Sequence, residues 1–283
     1  AGCAGMDAES CRQANWYDIG HRDAIFGLRP QDEMWSSVET DAGLGMPVGY
    51  YAILDSALRY KQGLSLEAHR DQMAQMYARL SQLAADNPDA WVKQAVPKEV
   101  IREHSASNRM LAFPYTKLHN SQWNVDQAAG LILCSTQIAE ELGIGREKWI
   151  FPRAFTESNL MSVVASRKDL GASPGFRIAG QAAMELAGVD FSQLRLCELY
   201  SCFPYAIRVQ LHEFGMDSNH NVSVTGGMTF GGGPLNNFVF QALVRMARLL
   251  RQNPGEIGLV TTVSGLLTKQ ACALWSVTPG ADG

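Results

Sequence analysis

The chain has 283 residues, of which 46% are hydrophobic and 18% are charged, and its formal net charge is -4 at pH 7. This composition is typical of a globular protein with one large domain or two domains of ordinary size. No run of Lys and Arg forms a basic stripe, which argues against nucleic acid as a partner. No apolar segment approaches the roughly 20 residues that a membrane-spanning helix needs, so we expect no membrane span and no signal peptide.

The cysteines and histidines show no metal-binding pattern. Six cysteines are scattered along the chain, at Cys3, Cys11, Cys134, Cys197, Cys202 and Cys272. None of them forms a CxxC pair, and the six histidines contain no HExxH motif. Scattered cysteines of this kind are typical of buried, reduced thiols. We therefore predict a cytoplasmic protein that holds no metal.

The first part of the chain predicts a short strand followed by helices. Residues 1–27 indicate an apolar strand and a polar connection. Apolar residues at helical spacing then predict a helix that ends at Gly63 and a second helix that begins at the N-cap Ser65. The second helix ends before Pro88. We expect residues 28–122 to form an all-helical insert.

From residue 124 onward the pattern changes to strands that alternate with helices. The predicted strands are 125–135, 149–155, 194–201, 222–227, 257–265 and 271–277. The predicted helices are 136–143, 173–189, 203–215 and 236–255. Strands that alternate with helices of ten or more residues predict an α/β sheet covered by helices on at least one face.

A glycine-rich loop, GGMTFGGGPLNNF (226–238), separates the fourth of these strands from the last helix. Glycines allow a sharp backbone path close to a ligand. Asn236 is placed to cap the helix, and Asn237 either completes this helix start or faces a pocket. The loop itself contains no acid, base or nucleophile.

Three segments together resemble the thiolases. NVDQAAGLILCS (124–135) is similar to the segment that re-enters the thiolase N-terminal half after its inserted loop domain. LYSCFP (199–204) stands at the strand-to-helix corner where thiolases carry Asn-Glu-Ala-Phe or, in the sterol-carrier type, His-Asp-Cys-Phe. The loop at 226–238 stands where thiolases carry a Gly-His-Pro motif. The likeness is nearest to bacterial thiolase-like proteins of the acetyl-CoA acetyltransferase type.

This resemblance implies a thiolase-like α/β fold with αβαβα layers, built from two pseudo-symmetric βαβαβαββ halves. Residues 1–27 and 123–148 would be the remainder of a truncated N-terminal half. Residues 28–122 would be a helical loop domain that covers the acyl-CoA site, and residues 149–278 would be the C-terminal half. The chain begins at Ala1 rather than Met, so we expect the early strands of the first half to be missing.

Thiolase chemistry needs a nucleophilic cysteine, a histidine, a second cysteine and an oxyanion hole. The resemblance places the nucleophile outside this chain. Gly233 stands at the position of the histidine, and Val263 or Ser264 stands at that of the second cysteine. Glycine and valine cannot act as bases, and an unassisted serine is a poor one. These losses predict that the chain alone is inactive in ordinary thiolase chemistry.

The corner motif departs from thiolases in a way that suggests another chemistry. Tyr200 stands at the position of the asparagine that holds an oxyanion water, Ser201 at that of the acid and Cys202 at that of the small residue. A phenol can donate a hydrogen bond to an enolate, and thiolase-like aldolases of steroid side-chain degradation carry a tyrosine here. Alternatively, Tyr200 and Cys202 are alternating residues at a strand end, and Cys202 is a buried thiol.

The same resemblance predicts the substrate-binding residues. They are Phe203, Gly232, Pro234 and Lys269. Lys269 either lies near a CoA phosphate or a substrate acid, or is a solvated charge. The expected substrate is a coenzyme A thioester, and no bound cofactor is expected.

Three functions are consistent with these residues. The first is a thiolase-like acyl-CoA acyltransferase of lipid or steroid side-chain metabolism that lacks the usual histidine and second cysteine. The second is a retro-aldol lyase that uses Tyr200. The third is a non-catalytic subunit that binds CoA thioesters. The expected partners are an acyl-CoA molecule and either a second copy of the chain or an OB-fold protein.

Overall fold

The computed structural model describes residues 36–159 and 162–280. The strand expected within residues 1–27, together with Cys3 and Cys11, lies outside the described residues.

The first described region contains four helices and a small hairpin. The helices are α1 (Ser37–Asp41), α2 (Pro47–Lys61), α3 (Leu66–Ala85) and α4 (Lys98–Arg102). The strands β1 (Met110–Ala112) and β2 (Tyr115–Thr116) pair antiparallel. The predicted helix boundaries are confirmed, because Gly63 follows α2 with a φ of 66° and the Ser65 hydroxyl accepts from the Ala68 N–H at 3.2 Å.

The sequence had predicted that residues 28–122 are all helical. The β1–β2 hairpin shows that this prediction is wrong. The Asn108 side chain holds the chain at its base. Its amide donates to the carbonyls of Val100, Ile101 and Glu103, and its carbonyl accepts from the Leu118 N–H at 2.9 Å. One buried amide therefore sets the path of this segment through tertiary contacts, which helical periodicity does not show.

The second region alternates helices with the strands of a mixed sheet. Its elements are α5 (Thr136–Glu141), β3 (Phe151–Asn159), α6 (Pro174–Ala187), β4 (Leu196–Glu198), α7 (Pro204–Phe214), a π-helical turn (Gly227–Gly231), α8 (Asn237–Gln252), β5 (Gly258–Ser264) and β6 (Lys269–Ser276). Short 3₁₀ turns lie at Lys117–His119, Arg146–Lys148, Val164–Ser166 and Phe191–Gln193. The strand order is β3-β6-β5-β4, and within this sheet only β4 and β5 are parallel.

Helices cover both faces of this sheet. Helix α6 packs on β3 and β6, where the Thr156 hydroxyl donates to the Ala179 carbonyl at 2.7 Å. Helix α8 packs on β5 through a cluster that includes Met246 and Val260. Because Thr156 pairs with Cys272 and Val260 with Ala273, and side chains alternate along β6, these contacts lie on opposite faces.

The segment at 222–227 was predicted as a strand and is instead a loop. The N–H groups of Val224 and Thr225 donate to the Glu198 carboxylate, each at 2.8 Å. The N–H groups of Gly226 and Gly227 donate to the Ser223 hydroxyl, each at 2.9 Å. Side chains thus satisfy the backbone donors that a strand would use for its ladder.

The strand predicted at 125–135 is also absent from the described structure. Ile132 is 94% exposed and Leu133 is 78% exposed. A strand requires a neighbouring strand for its backbone hydrogen bonds, and none of the described strands pairs with this segment. Instead, this segment is hydrogen-bonded to α8, where the side-chain oxygen of Asn237 accepts from the Ala129 N–H at 3.3 Å.

A buried ion network joins the helical region to the sheet region. The Asp55 carboxylate on α2 accepts from Arg208 on α7 and, at 2.7 Å, from the Tyr115 hydroxyl, and it contacts His69 Nε2 at 3.2 Å. The other terminal nitrogen of Arg208 donates to the side-chain oxygen of Gln62 at 2.6 Å. Burial acts to raise the pKa of Asp55, but Arg208, His69 and Tyr115 together hold this pKa below its ordinary value.

Replacing Arg208 with Met should lower the free energy of unfolding by about 3–5 kcal/mol, because Asp55 would remain buried without its cation. Denaturant unfolding measures this loss. The matched control is Arg177→Met, an exposed arginine on α6, which should change stability by no more than about 0.5 kcal/mol. Equal losses in the two variants would contradict a special role for the network.

Candidate functional site

A cavity of about 450 Å³ lies on the sheet beside the N-terminus of α8. We name it the Tyr200 cavity. Strands β3, β5 and β6, the corner after β4 and the loop before α8 all contribute side chains. Its wall includes Glu157, Tyr200, Leu235, Asn236, Ser264 and Lys269.

Three of the predicted site residues meet in this cavity. Ser264 at the end of β5 and Lys269 at the start of β6 are direct partners in the antiparallel ladder, and Tyr200 lines the same cavity. The tight β5–β6 connection brings Ser264 and Lys269 together, with Gly265 between them at a φ of 64°. The cavity therefore combines a phenol, a hydroxyl and an ammonium group.

Three residues of the corner motif lie away from the cavity lining. The Ser201 hydroxyl is buried and accepts from the Met228 N–H at 2.9 Å. The Phe203 ring stacks on Tyr51 with its centroid 4.5 Å away. Burial raises the pKa of the Cys202 thiol to about 12, so it does not supply a thiolate at neutral pH. The expectation that Cys202 is a buried thiol agrees with this position.

The glycine loop is filled by the protein's own side chains. A Cβ placed on Gly233 would lie 2.4 Å from the Ser121 hydroxyl and 3.0 Å from Met228 Cβ. Gly232 has a φ of 100°, and a Cβ there would lie 1.9 Å from the side-chain oxygen of Gln127. The positions predicted for catalysis and substrate binding at 232 and 233 are thus closely packed and do not line the Tyr200 cavity.

The residues that open α8 differ from the expected pattern. Asn236 was predicted to cap the helix, but its φ of -65° and ψ of -22° are helical and its side chain makes no capping bond. A capping side chain needs an extended backbone. The Pro234 carbonyl accepts from the Asn237 N–H at 3.1 Å instead. Asn236 lines the cavity, whereas the Asn237 amide is used by residues 127–129.

Replacing Gly233 with Ala should lower the free energy of unfolding by about 1–3 kcal/mol, because the added methyl group overpacks the site. The control is Gly255→Ala, where an added Cβ meets nothing within 4 Å. Denaturant unfolding compares the two variants. A Gly233 variant as stable as the control would show that the loop has room for a larger side chain.

Tyr200 presents a protonated phenol. Its ring is half-buried and meets Phe238 edge-on, with centroids 6.1 Å apart. Burial, with a smaller effect from Cys202, raises the pKa of Tyr200 well above its ordinary value. A phenol that keeps its proton at neutral pH can donate a hydrogen bond to an anion but cannot act as a base.

Glu198 is a residue that the sequence analysis missed. Its carboxylate is fully buried and accepts from the hydroxyls of Ser223 and Thr225 as well as from the N–H groups of Val224 and Thr225. Burial raises its pKa to about 7, although these hydrogen bonds act to lower it. A glutamate within the apolar run LRLCELYS was the available signal, because a buried charge needs dedicated partners.

Glu198 should make stability depend on pH. Its folded pKa of about 7 exceeds the ordinary value of 4.5, so between these values the folded state binds the proton more tightly than the unfolded chain. The free energy of unfolding should therefore fall as pH rises from about 4.5 to about 7, by up to about 3 kcal/mol. Denaturant unfolding at several pH values measures this slope.

The slope should flatten in Glu198→Gln and persist in Glu185→Gln, an exposed glutamate on α6. An unchanged slope in the Glu198 variant would assign the pH dependence to other groups.

The described residues contain no helix long and apolar enough to cross a membrane. Within 36–159 and 162–280, no group of three His, Cys, Asp or Glu residues is arranged to hold a metal ion.

The described residues combine a four-stranded mixed sheet that has helices on both faces, a mainly helical region before it and a glycine-rich loop. The fold is thiolase-like, because the solved structures of an SCP2-thiolase-like protein and of a thiolase match the chain over 87% and 80% of its length. This similarity confirms the resemblance to the thiolase-like superfamily that the sequence motifs indicated. No protein-family model and no curated protein sequence matches it.

One matching structure is a monomeric SCP2-thiolase-like protein type 1 from Mycobacterium smegmatis, with 28% identity and a TM-score of 0.79 over 87% of this chain. A second is an Ltp2-ChsH2(DUF35) aldolase, with 15% identity and a TM-score of 0.60 over 83% of this chain. A third is the dimeric peroxisomal thiolase of Saccharomyces cerevisiae, with 17% identity and a TM-score of 0.56 over 80% of this chain.

The last two matches establish similarity of fold alone. The chain spans 54%, 64% and 58% of the lengths of these three proteins, respectively.

Proposed function

We propose that the protein binds acyl-CoA thioesters in the Tyr200 cavity and cleaves β-hydroxyacyl-CoA by a retro-aldol reaction. The observation that carries this proposal is the protonated phenol of Tyr200 on the wall of that cavity. A fixed hydrogen-bond donor beside a thioester stabilises the enolate that forms when the adjacent carbon–carbon bond breaks.

The three buried thiols among the described residues do not support ordinary acyltransferase chemistry of the acetyl-CoA acetyltransferase type. That reaction needs a thiolate nucleophile and a histidine. The described Cys134 is exposed, contrary to the expectation of buried thiols, and does not line the Tyr200 cavity. Burial raises the pKa values of Cys197, Cys202 and Cys272 to about 12, and Gly233 is packed against Ser121 without room for an imidazole. The retro-aldol reaction needs neither group, which favours it over the acyltransferase for the chemistry of this cavity.

The proposed reaction assigns a role to each side of the cavity. The Glu157 carboxylate, which lines the cavity, takes the proton of the β-hydroxyl group. The carbon–carbon bond between the α and β carbons then breaks, a carbonyl forms at the β carbon, and the electron pair moves into the thioester enolate. Tyr200 donates a hydrogen bond to the enolate oxygen. Protonation of the α carbon releases the shorter acyl-CoA together with an aldehyde or ketone.

Two further features of the proposed function concern recognition. Lys269 on the cavity wall would contact a CoA phosphate or an acidic group of the substrate. One structural neighbour is an Ltp2-ChsH2(DUF35) aldolase. We propose that this chain likewise associates with a partner protein, for which an OB-fold is expected, and that its substrates belong to lipid or steroid side-chain metabolism.

Replacing Tyr200 with Phe in the full-length gene product should lower kcat for β-hydroxyacyl-CoA cleavage by about 10²–10³-fold, because one donor to the enolate is lost. KM should stay within about twofold, since the donor acts mainly in the transition state. Chromatographic release of the shorter acyl-CoA measures both parameters. Tyr60→Phe is the matched control, because Tyr60 is 81% exposed on α2.

Three outcomes would change the proposed function. Unchanged cleavage by the Tyr200 variant would remove this phenol from the mechanism. Thiolysis of acetoacetyl-CoA at the rate of a true thiolase would favour the acyltransferase. Calorimetric binding of an acyl-CoA without turnover, with the partner present, would instead identify a non-catalytic subunit that binds CoA thioesters.

A further inference from the structure

Both backbone polar groups of Tyr200 are held by one pair of buried side chains. The Tyr200 N–H donates to the Thr261 hydroxyl at 2.8 Å, and that hydroxyl donates to the Gln210 carbonyl oxygen at 2.5 Å. The Gln210 amide nitrogen donates to the Tyr200 carbonyl at 3.0 Å. The three hydrogen bonds form a closed ring, which we name the Tyr200 ring of hydrogen bonds.

Every polar atom of the two side chains is used in this arrangement. Gln210 and Thr261 are both 0% exposed. The second amide hydrogen of Gln210 has the Ala206 carbonyl as its acceptor, at 2.7 Å. Because Thr261 donates to the carbonyl side of Gln210, the orientation of the amide is set by its partners. A buried network with all its partners present is rigid and costly to disturb.

The Tyr200 ring of hydrogen bonds lies just beyond the end of the β4–β5 pairing. The last paired residues of β4 and β5 are Glu198 and Val260. One step further along β5, the side chain of Thr261 accepts the hydrogen bond from the Tyr200 N–H. The Thr261 side chain thus adds one hydrogen bond beyond the β4–β5 ladder, to the backbone of Tyr200. Gln210 connects the Tyr200 backbone to α7.

We propose that Gln210 and Thr261 are positioning residues for Tyr200. This inference rests on the proposed function of Tyr200. By holding the peptide groups on both sides of the Tyr200 Cα, the ring sets the direction from which the phenol enters the cavity. Catalysis by a hydrogen-bond donor depends on such placement, because a small displacement of the donor weakens its contact in the transition state.

A purely structural role is the rival explanation, and the chain offers a control for it. Thr156 on β3 of the same sheet donates to the Ala179 carbonyl at 2.7 Å and lies on the α6 face. Thr156→Val and Thr261→Val each remove a hydroxyl group without changing the shape of the side chain. Both should lower the melting temperature, and only the second should affect Tyr200.

The kinetic test uses the full-length gene product and β-hydroxyacyl-CoA. Thr261→Val should lower kcat by at least about tenfold with KM within about twofold. Thr261→Ser keeps the hydroxyl group and should retain kcat within about threefold, whereas Gln210→Met should resemble Thr261→Val. A kcat in Thr261→Val equal to that of Thr156→Val would overturn the proposal.

A spectroscopic test separates this proposal from the proposed function. Fluorotyrosine incorporated at position 200 should give a single narrow ¹⁹F resonance in the unsubstituted protein, Thr261→Ser and Thr156→Val. The resonance should shift or broaden in Thr261→Val and Gln210→Met. If the unsubstituted protein shows no turnover, the proposed function fails, and the resonance alone decides whether the ring positions Tyr200. An unaltered resonance in both ring variants would overturn the positioning role.

Discussion

The buried carboxylate of Glu198 determines the path of the chain around the candidate site. It accepts hydrogen bonds from the backbone and hydroxyl groups of the segment at 222–227, which the sequence had predicted as a strand. That segment becomes a loop that enters the π-helical turn Gly227–Gly231. Glu198 is also the last residue of β4, two positions before Tyr200. One buried carboxyl group therefore holds the segment that leads into the glycine loop and lies next to the corner from which Tyr200 enters its cavity.

The helical region, residues 36–122, contacts the glycine loop and the helix after the Tyr200 corner at two places. The Asp55 carboxylate binds Arg208 on α7, the helix that follows the Tyr200 corner. Gly226 faces α3 so closely that a Cβ there would lie 2.5 Å from Ala84 Cβ. Because the Asp55–Arg208 pair is buried away from water, each of its charges depends on the other. The helical region therefore packs against both α7 and the glycine loop.

Close packing surrounds the glycine loop and buries three of the described thiols. The glycine loop keeps its sharp turns, but Gln127 and Ser121 occupy the space next to Gly232 and Gly233. The described buried thiols have raised pKa values, since burial disfavours the thiolate. The wall of the Tyr200 cavity carries a protonated phenol with polar and charged neighbours.

The sequence by itself determined the thiolase-like class, the alternation of strands and helices, and the capped boundary at Ser65, because local periodicity, turn residues and short motifs carry this information. It also indicated Tyr200. Only the tertiary structure decided which predicted strands exist, that Asn236 does not cap α8, and that Glu198, Gln210 and Thr261 surround the Tyr200 corner. The physical reason is that strands and buried polar groups require hydrogen-bond partners that are distant in sequence. The sequence of one segment does not identify those partners.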